Sequence, residues 1–306
     1  MWEKKGLLYS CDFYGTGYAQ DAFIDVLNDK VWRIYYSART QDVISYPYYI
    51  DVEAGNLHNI LSVCKTPLMV PGRRGTFDDT GITMTSIVPV DEHRKYLYYC
   101  GWNRKTTVSY SLSIGCCEVI DNREYRKISD GPVLERSVYN PIAVSAPMVI
   151  REDDEFRMWY ISFLSWELYG DKYEPIYVVK HASSKDGINW KCDNHICLDA
   201  EYFGEAIGRP WVLRDGDLYK MWYSTRGIEN YRAKSGQHYM IGYAESEDGI
   251  VWKRRPEKFR FPLSDSGWDS EMLEYASIHK DKNRYYMIYN GNVFGKTGFG
   301  YAIKEC

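Results

Sequence analysis

The chain has 306 residues and a net charge of −4, a balance that excludes non-specific binding to the phosphate backbone of nucleic acids. No run of 18 apolar residues occurs, so no membrane-spanning helix is expected, and the amino terminus lacks the apolar core of a signal peptide. Aromatic side chains reach 16%, including 29 tyrosines, which favours strands stacked in sheets.

In chain order, an apolar segment at 6–10 comes first, with no partner nearby in sequence. A first strand is predicted over 22–27, a polar turn at Asn28 and Asp29, and a second strand over 32–36 ending on Tyr36. The same hairpin recurs at 84–88 with 96–99 and at 146–150 with 156–160. It recurs again ahead of the aromatic runs 219–223 and 285–289. The closing tyrosines, Tyr36, Tyr99, Tyr160, Tyr223 and Tyr289, are spaced by 63, 61, 63 and 66 residues. A near-constant period over most of a chain marks a repeated supersecondary unit. Such units stack on each other and share a core, so residues 1–306 are expected to form a single domain. The period fits a four-stranded antiparallel blade, and five units predict an all-β, five-bladed β-propeller.

Third strands are predicted over 177–182 and 239–244. Each leads into one repeated turn, Ser184, Asp186 and Gly187 with Trp190, then Ser246, Asp248 and Gly249 with Trp252. The glycine supplies a positive φ, and both turns are read as structural. The fifth unit runs out of chain after a third strand at 298–302. The segment around Leu7 to Tyr9 is therefore expected to add its outer strand and cover an exposed edge. The 8 cysteines are irregularly spaced and form no CxxC pair, which points to reduced thiols, a cytoplasmic setting and no bound metal.

Antiparallel strands place the start of each first strand and the end of each second strand on one face. The starts carry Asp21, Asp78, Asp79, Asn140, Glu205 with Arg209, and Glu271 with Glu274. The ends carry Arg39, Trp102, Asn103, Arg104, Trp166, Arg226, Asn290 and Asn292. Carboxylates act as acid, base or nucleophile on glycosidic bonds, so Asp21, Asp79, Glu205, Glu271 and Glu274 are the candidate catalytic residues. Tryptophans stack on sugar faces, while Asn and Arg bond to hydroxyls. Asp78 and the residues at the strand-two ends are accordingly candidate substrate contacts, with Arg209. The expected partner is a carbohydrate. Arg39, Arg104, Arg209 and Arg226 on that face favour an anionic one, a sugar phosphate, nucleotide sugar or acidic sugar. No cofactor is expected.

Three features together resemble the five-bladed propeller glycosidases of families 32, 43 and 68 and the related phosphorylase family 130. They are the repeat itself, the run Gln20-Asp21-Ala22-Phe23, and Ser145-Ala146-Pro147 with the Ser-Asp-Gly-Trp turns. The stretches 267–272 and 289–295 are similar to propeller proteins of bacterial surface-polysaccharide biosynthesis. The resemblance implies a glycosidase-like activity with Asp21 as base or nucleophile. Aligned on the closing tyrosines, Met84, Ser145, Gly208 and Glu274 correspond to Asp21, and only Glu274 is a carboxylate. The usual catalytic triad is thus not reproduced. A transferase or other non-hydrolytic enzyme acting on an activated sugar, and a silent sugar-binding propeller, are the alternatives.

Overall fold

A computed structural model describes residues 1–232 and 236–306 of the chain. Strands make up nearly all the regular secondary structure of the described residues. After β1 (Glu3–Tyr9) come β2 (Gln20–Val26), β3 (Val31–Arg39), β4 (Ser45–Glu53) and β5 (Asn56–Val63). Next are β6 (Gly81–Pro89), β7 (Arg94–Arg104), β8 (Tyr110–Ile120) and β9 (Glu124–Lys127). They are followed by β10 (Val144–Glu152), β11 (Glu155–Tyr169), β12 (Lys172–Ser184) and β13 (Lys191–Leu198). Then come β14 (Ala206–Asp215), β15 (Leu218–Arg226), β16 (Met240–Ser246) and β17 (Lys253–Arg254). The chain ends with β18 (Glu274–Asp281), β19 (Arg284–Asn290) and β20 (Phe299–Glu305).

Strands β10–β13 and β14–β17 form four-stranded antiparallel sheets in chain order. Strands β2–β9 form one larger sheet, but its halves, β2–β5 and β6–β9, meet through a single parallel bridge, Ser45 to Gly81. The remaining sheet runs β1-β20-β19-β18, so the amino-terminal strand is the outer strand of the carboxy-terminal sheet, as its apolar character predicted. First strands touch one another in sequence. β6 contacts β2 and β10, β14 contacts β10 and β18, and β18 returns to β2.

The repeated residues carry the packing. All five closing tyrosines are buried. Tyr99 and Tyr223 pair across the sheet with Gly115 and Gly242, where a Cβ would come within 2.2 and 2.3 Å of the tyrosine rings. Glycine is needed there because the ring lies flat over the neighbouring strand. Each Ser-Asp-Gly turn is closed locally: Gly187 N and Gly249 N donate to Ser184 Oγ and Ser246 Oγ at 2.9 and 2.8 Å. Each turn also accepts from the preceding sheet. Tyr98 Oη donates to Gly187 O, and Trp159 Nε1 to Gly249 O, both at 2.7 Å. The repeated turn therefore ties one sheet to the next.

Every first strand is interrupted by a β-bulge before its apolar stretch. In four of them the first bulged residue adopts a left-handed φ: Asp21 at 55°, Ala146 at 47°, Arg209 at 49° and Tyr275 at 56°. Non-glycine residues there cost roughly 1–3 kcal/mol each and persist where the surroundings over-determine them. This register corrects the alignment drawn from the closing tyrosines. The β2–β3 turn holds three residues, Asn28 to Lys30, whereas the β10–β11 turn holds two, Asp153 and Asp154. That one-residue difference moves the equivalents of Asp21 to Ala146, Arg209 and Tyr275. Ser145, Gly208 and Glu274 are instead equivalent to Gln20, each pairing with the residue after a closing tyrosine.

Candidate active site

The bulges converge on one cavity of about 110 Å³. Asp21, Thr85, Ala146, Arg209 and Tyr275, one from each first strand, line it. The wall is completed by Arg39, Cys100, Trp102, Tyr110, Tyr177 and Tyr239, with several smaller side chains. A bulge re-aims its side chain, here toward the meeting point of the first strands.

Asp21 is the one carboxylate on this wall among the described residues. Its Oδ1 accepts from Arg209 Nε at 2.9 Å, and its backbone oxygen accepts from Arg209 at 3.3 Å. Arg209 is 2% exposed and also donates to Thr85 O at 2.9 Å, which ties three first strands together. Burial pushes the Asp21 carboxyl above its ordinary range, against the charges of Arg209 and Arg39. Asn290 holds Asp21 from behind. Its Oδ1 accepts the Asp21 amide at 3.0 Å, while its Nδ2 donates to Ala19 O and Gly298 O.

Glu274 pairs across the sheet with Asn290 and is fully buried. Neither of its carboxyl oxygens has a hydrogen-bond partner among the described residues. Burial, then the charge of Asp21, holds its carboxyl well above the ordinary range, which favours its protonated form. Two neighbouring carboxyls in unlike surroundings are thus set apart. Asp21 is paired with Arg209, and Glu274 has no cation within hydrogen-bonding distance among the described residues.

Arg39 stands on the cavity wall with its guanidinium over the rings of Trp102 and Tyr18, at 5.4 and 5.7 Å. No carboxylate lies within ion-pair distance of it among the described residues. Trp102 Nε1 donates to Thr83 Oγ1 at 3.0 Å, which fixes the ring.

The other predicted residues lie elsewhere. Glu205 is buried in an ion pair with Arg254 at 2.8 Å and accepts from Thr225 Oγ1 and Glu201 N. Against the effect of burial, these bonds hold it below the ordinary range. It is a structural anchor for the loop ahead of β14. Asp78 is likewise engaged, by Lys127 at 2.5 Å. Asp79 accepts from Gly75 N, Thr80 Oγ1 and Asn103 Nδ2, so it and Asn103 organise the loop before β6. Arg104 is exposed and donates to Asp42 O. Arg226 lies buried outside the cavity wall. Trp166 packs on Tyr110 and Phe163 without lining the cavity. Asn292 accepts the Glu271 amide at 2.8 Å and donates to Gly267 O, which ties the segment after β19 to the loop before β18.

Sequence reasoning missed the tyrosines of the wall. A signal was present: Tyr177 and Tyr239 each open a predicted third strand, at matching places in successive repeats. Tyr275 was hidden by the one-residue offset in the alignment. Groups of three or more metal-ligating side chains are absent among the described residues, and no helix is long and apolar enough to cross a membrane.

No family model matches the chain. Uncharacterized protein Rv1502 of Mycobacterium tuberculosis (strain ATCC 25618 / H37Rv) is 33% identical over 281 residues, covering 91% of this chain and 90% of the relative. Protein MT1551 of strain CDC 1551 / Oshkosh shows the same identity and coverage. Among solved structures, a complex of BT0996 with RGII has a TM-score of 0.76 at 17% identity, covering 99% of this chain and 92% of the other. A structure from the GH130 family of mannoside phosphorylases, with glycoside hydrolases targeting β-1,2 mannosidic linkages in Candida mannan, has a TM-score of 0.73 at 15% identity, with 100% and 94% covered. The β-1,2-mannobiose phosphorylase from Listeria innocua, in complex with β-1,2-mannobiose, has a TM-score of 0.65 at 10% identity, with 94% and 89% covered. At these identities the likeness is one of fold.

Proposed function

The chain belongs to the family of Mycobacterium tuberculosis protein Rv1502 and shares the fold of the propeller glycoside hydrolases and phosphorylases, and from that premise we propose a carbohydrate-active, glycosidase-like function for its central cavity. The cycle of contacts among first strands supports a single domain of five blades around one axis, with the cavity at that axis. All 8 cysteines are free, which supports a reducing, cytoplasmic setting.

The observation that carries the reading is the pair Asp21 and Glu274. Glycoside cleavage uses one ionised and one protonated carboxyl, and unlike environments are what separate the two roles. Asp21, ion-paired with Arg209 on the cavity wall, serves in its ionised form as base or nucleophile. Glu274, protonated beside it, is the acid-form partner. Glu205, Glu271 and Asp79 take no direct part. The test is a panel of nitrophenyl glycosides and manno-oligosaccharides, each with and without inorganic phosphate. Wild-type protein should release sugar from at least one, and Asp21→Asn should lower that rate by about 10²–10⁴-fold. A folded wild type inert to the whole panel overturns the reading.

Arg39 favours one refinement, a ligand with a negative group. A wall cation without a carboxylate partner gains a charge-assisted hydrogen bond from a phosphate or uronate and little from a neutral sugar. Rate or binding that depends on phosphate and is lost in Arg39→Met supports a sugar phosphate, nucleotide sugar or phosphorolysis. Indifference to both counts against it.

A further inference from the structure

Arg226 is 2% exposed and has no carboxylate within ion-pair distance among the described residues. Its guanidinium lies 3.9 Å from the centre of the Tyr231 ring and donates to Pro175 O at 2.7 Å and Gly227 O at 3.1 Å. Its Nε donates to Tyr239 Oη at 3.3 Å. With no carboxylate to neutralise it, the buried cation also polarises the Tyr239 hydroxyl it touches.

That hydroxyl is half of a pair. Tyr239 Oη and Tyr177 Oη are hydrogen-bonded to each other, and both residues line the cavity. A guanidinium has donors and no acceptor, so Arg226 can only give a hydrogen to Tyr239. The pair then holds two hydroxyl protons and one internal bond, which leaves one proton over. Aligned as a chain, Arg226 donates to Tyr239, Tyr239 donates to Tyr177, and each bond polarises the next. In that order the Tyr177 proton is the one left for the cavity. The ring is also fitted in place. Gly208 lies near the start of β14, and a Cβ there would come within 3.0 Å of the Tyr177 ring.

We propose that Tyr177 is the hydrogen-bond donor to the ligand oxygen that gains negative charge, and that Arg226 is a positioning residue acting on it through Tyr239. This rests on the glycosidase-like reading, in which that atom is the departing oxygen of the sugar. No bond to hydrogen breaks at Tyr177; the departing oxygen takes its proton from the acid-form carboxyl of that reading, Glu274. It stabilises charge, in the manner of an oxyanion hole.

Two measurements test it. A neutron structure of the deuterium-exchanged protein without ligand should place the Tyr239 deuteron on the line to Tyr177 and the Tyr177 deuteron toward the cavity. The reverse order overturns the proposal, whatever the activity. The second is a leaving-group series on the sugar that the wild type accepts. Tyr177→Phe and Arg226→Met should lose about 10²-fold on an alkyl glycoside but less than about threefold on the dinitrophenyl glycoside, whose departing oxygen needs little help. Arg226→Lys should recover part of the loss. Equal losses on both glycosides mean a structural role and overturn the proposal. If Asp21→Asn loses nothing, or no glycoside is turned over, the functional reading fails, and the neutron density alone decides the relay.

Discussion

Arg209 donates from Nε to Asp21 Oδ1 at 2.9 Å, and the two residues occupy the same left-handed bulge position in different sheets. One repeated backbone device thus delivers both members of a buried ion pair to one cavity. The pair joins the start of β2 to the start of β14 across the cavity.

Removing one partner should therefore cost more than removing a surface charge. Arg209→Met leaves the Asp21 carboxyl in the cavity without its nearest cation, a change that typically costs about 3–5 kcal/mol. Chemical denaturation should show a loss of that order. The double variant Asp21→Asn with Arg209→Met should recover a large part of it, because no buried charge is then left alone. Additive losses would show that the two residues act separately.

Glu274 sets a pH dependence. Its folded-state carboxyl is held well above the ordinary value, so the folded protein binds this proton more tightly than the unfolded chain. The contribution is complete below the unfolded value and is lost as pH rises toward the folded one. Stability should decline with rising pH above about 4.3, the ordinary value for a glutamate. Glu274→Gln keeps the shape without the charge and should flatten that decline. Melting curves of both proteins across that range check this, and parallel curves would contradict it.

His181 works in the opposite direction. Burial and then the Arg157 charge push its imidazole down to about 4, and Arg157 Nε lies 3.3 Å from its Nε2. A base whose value falls on folding binds fewer protons in the folded state, so stability is lost as pH drops from about 6.5. Nuclear magnetic resonance titration should find this histidine still neutral well below 6.5, the ordinary value for an imidazole.

The amino-terminal strand closes the last sheet through backbone pairing with β20, including Leu7 opposite Gly300 and Tyr9 opposite Phe299. Deleting residues 1–10 uncovers that edge and removes Leu8 from the core. The melting temperature should fall by several degrees, and the truncated protein should associate on size-exclusion chromatography. An unchanged melting temperature would show that β1 is dispensable.

Gly242→Ala places a Cβ against the Tyr223 ring, at 2.3 Å in the present geometry. Overpacking of this kind costs roughly 1–3 kcal/mol. Since Tyr223 closes its second strand, the same substitution at Gly115, against Tyr99, should cost a similar amount. Thermal denaturation of both variants measures it.

The sequence by itself determined the repeat. The closing tyrosines, the Ser-Asp-Gly turns and the leftover apolar segment at 6–10 follow from local patterning, because strand period, turn chemistry and edge protection act over a few residues. It also placed Asp21, Arg39, Trp102 and Arg209 on the cavity side, because antiparallel order alone assigns strand ends to a face. The tertiary structure decided which members of that face meet. Asp79 and Glu205 share the face with Asp21 but are consumed, Asp79 by its own loop and Asn103, and Glu205 by Arg254 from a distant segment. Tyr177, Tyr239 and Tyr275 reach the cavity through bulge register and cross-strand packing. A one-residue difference in turn length moves that register, and a period counted from tyrosines cannot see it.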